Sequence, residues 1–340
     1  MKQTLLAIAL LGAFGAATAQ SSVTVYGTLD AGLIKKTDTT LAIGKRDNNK
    51  LGFKGVEDLG NGLKALFQLE IRYEPDTGTV ESNSRPLFQG QSRVGLQGGF
   101  GMVRLGRGTT ALMDSIDAFE PWNGVPSVAG FKTDLTVAGY SSDPLSPAGN
   151  SGNRFSNALF YTTPEMAGFQ LNATVGTKEA NGGPALTGRG TALAPQYSAG
   201  AEASANPFSL SATYKNGPFA ALGAYERNAI ETKIWAAGGS IMVMPELKLM
   251  ATYSRQDRDH SAALNPQTKA WVAGANYTMG SGKLLAGYGQ KSPDGAVKVK
   301  EASLGYEYNL SKRTYVYADV SDKKAATSVK FYSVGVHHNF

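Results

Sequence analysis

From Gly62 to Glu74 the chain alternates with a period of two. Leu63, Ala65, Phe67, Leu69, Ile71 and Tyr73 are apolar or aromatic, and Lys64, Gln68, Glu70, Arg72 and Glu74 fall between them. In an extended strand this spacing turns one face toward a nonpolar phase and the other toward water. A soluble sandwich alternates as well, so the number of such strands carries the argument. The pattern predicts sixteen, near 22–34, 46–56, 62–74, 87–97, 101–107, 153–163, 168–177, 207–214, 219–227, 232–243, 247–257, 268–278, 282–291, 297–309, 313–321 and 328–340. Their connections alternate between short and long. Leu59-Gly60-Asn61, Gly98-Gly99-Phe100, Lys215-Asn216-Gly217-Pro218, Met244-Pro245-Glu246 and Met279-Gly280-Ser281 are brief and rich in the residues that tight turns require. The segments 35–45, 75–86, 108–152, 178–206 and 258–267 are long. Seven turns and eight loops joining sixteen strands bring both chain ends to one side.

The start of the chain says which phase the apolar faces meet. Lys2, the apolar stretch from Leu5 to Phe14 and the small-residue site Ala17-Thr18-Ala19 have the layout of a secretory signal peptide. A cut after Ala19 removes 19 of 340 residues and leaves 321, spanning 20–340, as the barrel domain. Nothing in that remainder approaches the roughly 18 consecutive apolar residues of a membrane helix. Lipid tails cannot hydrogen-bond to the backbone, so the other way across is a closed barrel in which no strand edge is exposed. The expected fold class is all-β, a 16-stranded antiparallel transmembrane β-barrel. Aromatic residues gather at strand ends: Tyr26, Phe53, Tyr161, Phe169, Tyr214, Phe219, Tyr225, Tyr253, Tyr277, Tyr288, Tyr306, Tyr308, Tyr315 and Tyr317. In a barrel these positions form the interfacial girdles.

Composition alters this picture little. There is no Cys, which excludes a disulfide framework and thiolate metal sites. No Cys/His spacing suits a metal, and neither metal nor cofactor is expected. The net charge of +6 becomes +5 once Lys2 leaves with the signal, an excess too diffuse for a nucleic-acid partner.

Five segments carry a family resemblance: SSVTVYGTLDAGL at 21–33, LGFKGVEDLGNGLKALFQLE at 51–70, VGLQGGFGMVRLGR at 94–107, NLSKRT at 309–314 and FYSVGVHHNF at 331–340. They span the mature chain and resemble the general porins of the beta-proteobacterial type. The resemblance implies a homotrimer in the outer membrane, in contact with lipid and lipopolysaccharide, that passes ions and small hydrophilic solutes. It also implies that the third outside loop, 108–152, folds into the lumen as a constriction. Tyr332, Val334, Val336, His338 and Phe340 fall on one side of the last strand, a stripe that in this family resembles the signal read by the outer-membrane assembly machinery. The amino group of Gln20 is expected near the carboxylate of Phe340, closing the barrel.

The constriction loop carries Asp114, Asp117 and Glu120, with a turn at Phe119-Glu120-Pro121-Trp122-Asn123-Gly124. A pore needs basic wall residues opposite, because a transverse field selects ions and orients dipolar solutes. Alternation supplies them. With Leu51 and Phe53 toward lipid, Lys50 and Lys54 face inward; Val94 and Leu96 place Arg93 inward, and Val103 and Leu105 place Arg104 inward. Arg154 opens a strand that resembles the family's first after the constriction, with Phe155, Leu159 and Tyr161 outward. The loop tip departs from the family's Pro-Glu-Phe pattern, and Gly90 and Gln91 stand where many relatives carry a further arginine, which leaves Arg93 to substitute. The expected pore is weakly anion-preferring.

Four rival readings differ in class. A barrel hydrolase needs a His beside a Ser or Asp, and the histidines are His260, His337 and His338. Gly106-Arg107-Gly108-Thr109-Thr110-Ala111 fits a dinucleotide fingerprint in spelling, but that motif needs parallel strands and a crossover helix. A substrate-specific channel would show aromatic residues along the pore, and an adhesin would use loops such as 178–206.

Overall fold

The computed structural model describes residues 22–81, 86–132, 134–144, 152–177, 185–188, 196–198, 205–258 and 267–340. The expected signal segment 1–19, Gln20 and His260 lie outside the described residues. The strands are β1 (Ser22–Lys36), β2 (Ala42–Gly44), β3 (Lys50–Gly60), β4 (Leu63–Arg72), β5 (Gln91–Gly98), β6 (Gly101–Thr109), β7 (Arg154–Thr162), β8 (Phe169–Gly176), β9 (Ala185–Gly188), β10 (Gln196–Ser198), β11 (Phe208–Asn216), β12 (Phe219–Arg227), β13 (Lys233–Met244), β14 (Leu247–Asp257), β15 (Gln267–Met279), β16 (Gly282–Pro293), β17 (Val299–Asn309), β18 (Thr314–Lys324) and β19 (Ser328–Asn339). Sixteen are staves of one closed antiparallel barrel: β1, β3–β8 and β11–β19. The two-stranded ribbon of β9 and β10 stands apart.

Each stave pairs with the next in sequence, β8 pairs with β11, and β19 returns to β1. That seam runs from Thr28 opposite Asn339 to Lys36 opposite Phe331. Beyond it Gly27 and Phe340 exchange both backbone hydrogen bonds at 3.1 Å. Gly27 is needed there, because a Cβ would strike the Lys50 carbonyl and the Phe340 ring. The β3–β4 hairpin turns on Asn61 and Gly62, both at positive φ (52° and 77°), the Asn-Gly chemistry of a two-residue loop.

Outward positions are apolar and exposed, as a lipid-facing wall demands: Val23, Val25, Leu29 and Leu33 on β1, and Tyr332, Val334 and Val336 on β19, continued by Phe340. The structure departs from the expected pattern in three places. The stave expected from 46 begins at Lys50, because residues 45–49 leave the sheet. β1 pairs with β3 up to Thr28–Lys50 and resumes with β2 at Gly32–Gly44, so Leu29–Ala31 face the longer stretch 45–49. The surplus bulges into the barrel and carries Arg46 with it. Arg46 is buried, with Nε 2.8 Å from Asp319 Oδ2 and Nη1 2.7 Å from Glu307 Oε1, and its guanidinium lies 4.7 Å from the centre of the Tyr317 ring.

A second departure concerns three expected girdle residues that turn inward. Tyr26 hydrogen-bonds to Glu70 and Gln68, the Tyr317 hydroxyl donates to Asp30 at 2.9 Å, and Tyr315 stacks on His337. Tyr26 shares its face with buried Thr28 and Asp30, so its side of β1 is the lumen side. Finally Phe155, expected outward, is fully buried against Ala158 and Phe160. Asn157 adopts a left-handed φ of 46° and the β6–β7 register slips between Gly106 and Gly108, which reverses the parity.

Candidate pore constriction

The long connection after β6 enters the barrel. Thr110 caps α1 (Ala111–Ile116): its φ and ψ of −72° and 163° are extended, and its hydroxyl accepts from the Met113 N–H at 3.4 Å. The same hydroxyl donates to Glu226 Oε2 at 2.6 Å. The next free amides of the helix start are taken by the wall, Ala111 N–H by Thr174 Oγ1 at 3.1 Å and Leu112 N–H by Ser209 Oγ at 2.9 Å. The dinucleotide spelling at Gly106–Ala111 therefore does open a helix, but its amides are spent on strand side chains within an antiparallel barrel.

From there the loop lies against one side of the interior. Leu112, Met113, Ile116, Phe119, Val137 and Tyr140 pack on Leu222, Ile234 and Ala236 of β12 and β13. Trp122, Ala129, Phe131 and Leu135 pack on Val272, Leu285 and Phe331 of β15, β16 and β19. At Gly274 and Gly287 a Cβ would collide with Pro121 and Phe131, so these glycines form the bed of the loop. Polar ties complete the attachment. Trp122 Nε1 donates to Asp319 at 3.1 Å, Asn228 Nδ2 donates to the Ser141 carbonyl at 2.9 Å, and Asp134 bridges Lys291 and Lys323.

The opposite side of the lumen stays open and is basic. Arg93 and Arg104 flank the Phe160 ring at 5.8 and 5.9 Å, and Arg93 donates twice to Gln68 Oε1 at 2.8 and 3.0 Å. Lys54 lies over Tyr26 at 5.2 Å. Lys50 and Lys54 share the β3 face that turns from lipid, on which Gly52 meets the inward Tyr26 ring. Arg154 is buried, its Nε 2.6 Å from the Gly90 carbonyl.

Two spaces of about 520 and 390 Å³ adjoin here. The larger is lined by Arg104, Phe160 and Glu165, the smaller by Arg72, Lys132 and Arg154, and Thr109 and Asp114 line both. Asp114 thus stands at their junction, within electrostatic reach of Arg93, Arg104 and Arg154.

The three expected loop acids part company. Asp114 is exposed to the open lumen, and Asp117 lies beside it but is ion-paired with Lys132. Glu120 is 1% exposed and turned into its own loop, where its carboxylate accepts the N–H groups of Trp122, at 2.9 Å, and Gly124. Its expected place on the pore gives way to a local role: it caps the turn at Trp122-Asn123-Gly124, whose last two residues have positive φ. Burial pushes its carboxyl up to about 7 against the pull of those two amides.

Arg72 and Lys132 were not among the expected residues. Arg72 was legible, since Leu69, Ile71 and Tyr73 place it on the wet face of the clearest strand. Lys132 sits in an irregular stretch with no period to read. His337 has its Nδ1 3.1 Å from Asp30, but that carboxylate also accepts from the Arg46 N–H and the Tyr317 hydroxyl, which makes the group a structural knot.

Residues 5–328 match the family model described as Gram-negative porin. The chain is 31% identical to outer membrane porin protein 32 of Delftia acidovorans, over 99% of this chain and 94% of that protein. It is 27% identical to an outer membrane porin protein of Bordetella pertussis over the whole of both. Among solved structures it superposes on the anion-selective porin from Comamonas acidovorans with a TM-score of 0.78, at 23% identity over 94% of this chain and all of that one.

Proposed function

The chain belongs to the Gram-negative porin family, and from that premise we propose that its lumen is a weakly anion-preferring passage whose field is set by Arg93, Arg104 and Arg154 across from Asp114. It is an outer-membrane channel for the diffusion of small hydrophilic solutes, and members of the family are channels rather than enzymes. One observation carries the charge assignment: the loop covers the apolar β12–β19 side and leaves the passage against the basic β3–β7 side. Lys50 and Lys54 extend that basic wall, and Arg72 joins it. Asp117 contributes little field, because Lys132 offsets it. A gap with a cluster of cations on one side and Asp114 on the other admits both signs and favours anions. The relative from Comamonas, itself named anion-selective, agrees in sign.

The same premise supports removal of residues 1–19, assembly as a homotrimer among lipid and lipopolysaccharide, and reading of the stripe ending at Phe340 by the assembly machinery. Reversal potentials in a salt gradient test the pore assignment. Anion preference is expected in the wild type, falling or inverting in Arg154→Glu. A wild-type cation preference that survives unchanged in Arg154→Glu overturns the assignment.

A further inference from the structure

The first and last strands and the tip of the third loop meet in one buried network. Asp30 on β1 lies opposite His337 on β19 in the register of the seam, and His337 Nδ1 is 3.1 Å from its carboxylate. Tyr317 reaches the same carboxylate from β18 by lying across β19. Gly335 and Gly32 clear its path, since a Cβ at either would come within 3.0 Å of the Tyr317 hydroxyl. The 45–49 bulge is clipped to β1 at this point. The Asp30 N–H donates to Asn49 Oδ1 at 2.5 Å, Asn49 Nδ2 donates to the Asp30 carbonyl at 3.0 Å, and the Arg46 N–H donates to the Asp30 carboxylate at 2.6 Å. The seam thereby fixes where the Arg46 side chain starts.

From that start the guanidinium runs inward to β17 and β18. Its Nε and Nη2 take the two oxygens of Asp319 at 2.8 and 3.3 Å, and its Nη1 takes Glu307 at 2.7 Å. A forked donor fixes a carboxylate in orientation as well as in place. So held, Asp319 turns Oδ1 to the Trp122 indole N–H at 3.1 Å and Oδ2 to the Ser127 hydroxyl at 3.4 Å, both on the loop. Gly305 leaves room for the contact, because a Cβ there would meet Asp319 and the Trp122 ring. Take Arg46 away and Asp319 becomes a buried carboxylate with Glu307 beside it and its own cation gone, which drives it toward water and off Trp122.

We infer that Arg46 is a positioning residue of the constriction and that it makes the constriction depend on closure of the barrel: the loop tip is seated by the chain Trp122–Asp319–Arg46–Asp30–His337, whose parts come together when the first strand pairs with the last. The inference rests on the loop narrowing a channel. It gives the order of events in folding, with the seam closing before the tip docks.

Acrylamide quenching of Trp122 tests this in a Trp235→Phe/Trp271→Phe background, which leaves one of the three tryptophans and alters the lipid face alone. Arg46→Met, which fills the space without a charge, should raise quenching severalfold and add brief sublevels to the open-channel current. Arg46→Lys, which restores a cation, should recover part of both. Asp30→Ala should loosen Trp122 from a distance, since Asp30 has no hydrogen bond to the loop among the described residues. The double variant Arg46→Met/Asp30→Ala should match Arg46→Met alone, because both cut one chain. Wild-type quenching in Arg46→Met, an Arg46→Lys no better than Arg46→Met, or effects that multiply in the double variant overturns the inference. Refolding of the background protein from urea into detergent needs no change in the network. Protection of Trp122 should appear together with the heat-resistant electrophoretic form of the closed barrel, and protection that precedes that form overturns the inference as well. Conductance and reversal potential of the wild type read the channel separately, so failure here leaves the porin standing.

Discussion

Two walls of one barrel carry inward faces of opposite character. On β3–β7 the inward residues include Lys50, Lys54, Arg72, Arg93 and Arg104, and the space beside them is open. On β12–β19 they include Leu222, Ile234, Ala236, Val272, Leu285 and Phe331, all at 4% exposure or less beneath the third loop. There both faces of the strand are apolar: Ile234 is buried inside and its neighbour Trp235 is 43% exposed outside. The difference teaches where the information for the constriction lies. Much of the third loop has no periodic pattern, and its path is set by the wall that receives it. Each fully buried Leu, Ile or Phe in that contact stabilises it by about 1.5–3 kcal/mol, so the loop is held chiefly by apolar burial and positioned by the few polar ties at Glu226, Asp319 and Asp134.

The sharpest way to break the comparison is to close the bed. In Gly287→Leu the new side chain occupies the place of the Phe131 ring. Overpacking of this kind costs about 1–3 kcal/mol, concentrated on the loop. The loop should be pushed off β16 toward the open basic side and single-channel conductance should fall; an unaltered conductance would show that the seat is held elsewhere. A smaller effect is expected from the basic wall. Arg104→Gln removes one of two cations that flank Phe160 and face Asp114. One charge at about 6 Å in water is worth roughly 0.7 kcal/mol, about threefold in relative ion occupancy. The anion-to-cation permeability ratio should fall by that order, with conductance nearly constant, as reversal potentials would show.

The two walls also differ in how much the sequence discloses. The sixteen staves and their order were legible, because alternation and turn chemistry act locally; the inward course of the loop was implied only by the family resemblance. Lys50, Lys54, Arg93 and Arg104 could be placed by parity alone, since their outward neighbours Leu51, Phe53, Val94 and Leu105 meet lipid. Parity cannot tell a water-facing position from one facing a buried loop, so the β12–β19 wall reads as inward without revealing what it touches. It also fails where the register slips: Phe155 was misplaced by the irregularity at Asn157, and Arg46 was missed because it lies on a bulge. Glu120 looked like a pore acid because charge in a loop ordinarily seeks water; its partners are amides two and four residues ahead, a contact that only the folded turn creates.

The mildest expected effect lies at the loop tip, which is seated on β15–β18. The Glu120 carboxyl is buried and held up to about 7, above its ordinary value of about 4.5. A carboxyl raised in the docked loop favours docking in its neutral form. Its contribution is therefore whole below pH 4.5, declines as the pH rises from there to 7, and is gone above that. A shift of this size, already net of the two amide hydrogen bonds that prefer the ionised form, is worth at most about 3 kcal/mol. The tip should loosen modestly between pH 5 and 7.5, read as increasing open-channel current noise. Glu120→Gln cannot ionise and keeps a carbonyl oxygen for one of the two amides. Its noise should lie flat across the same range, and a variant that keeps the wild-type rise would move the titration to another group, leaving the apolar seat of the loop untouched.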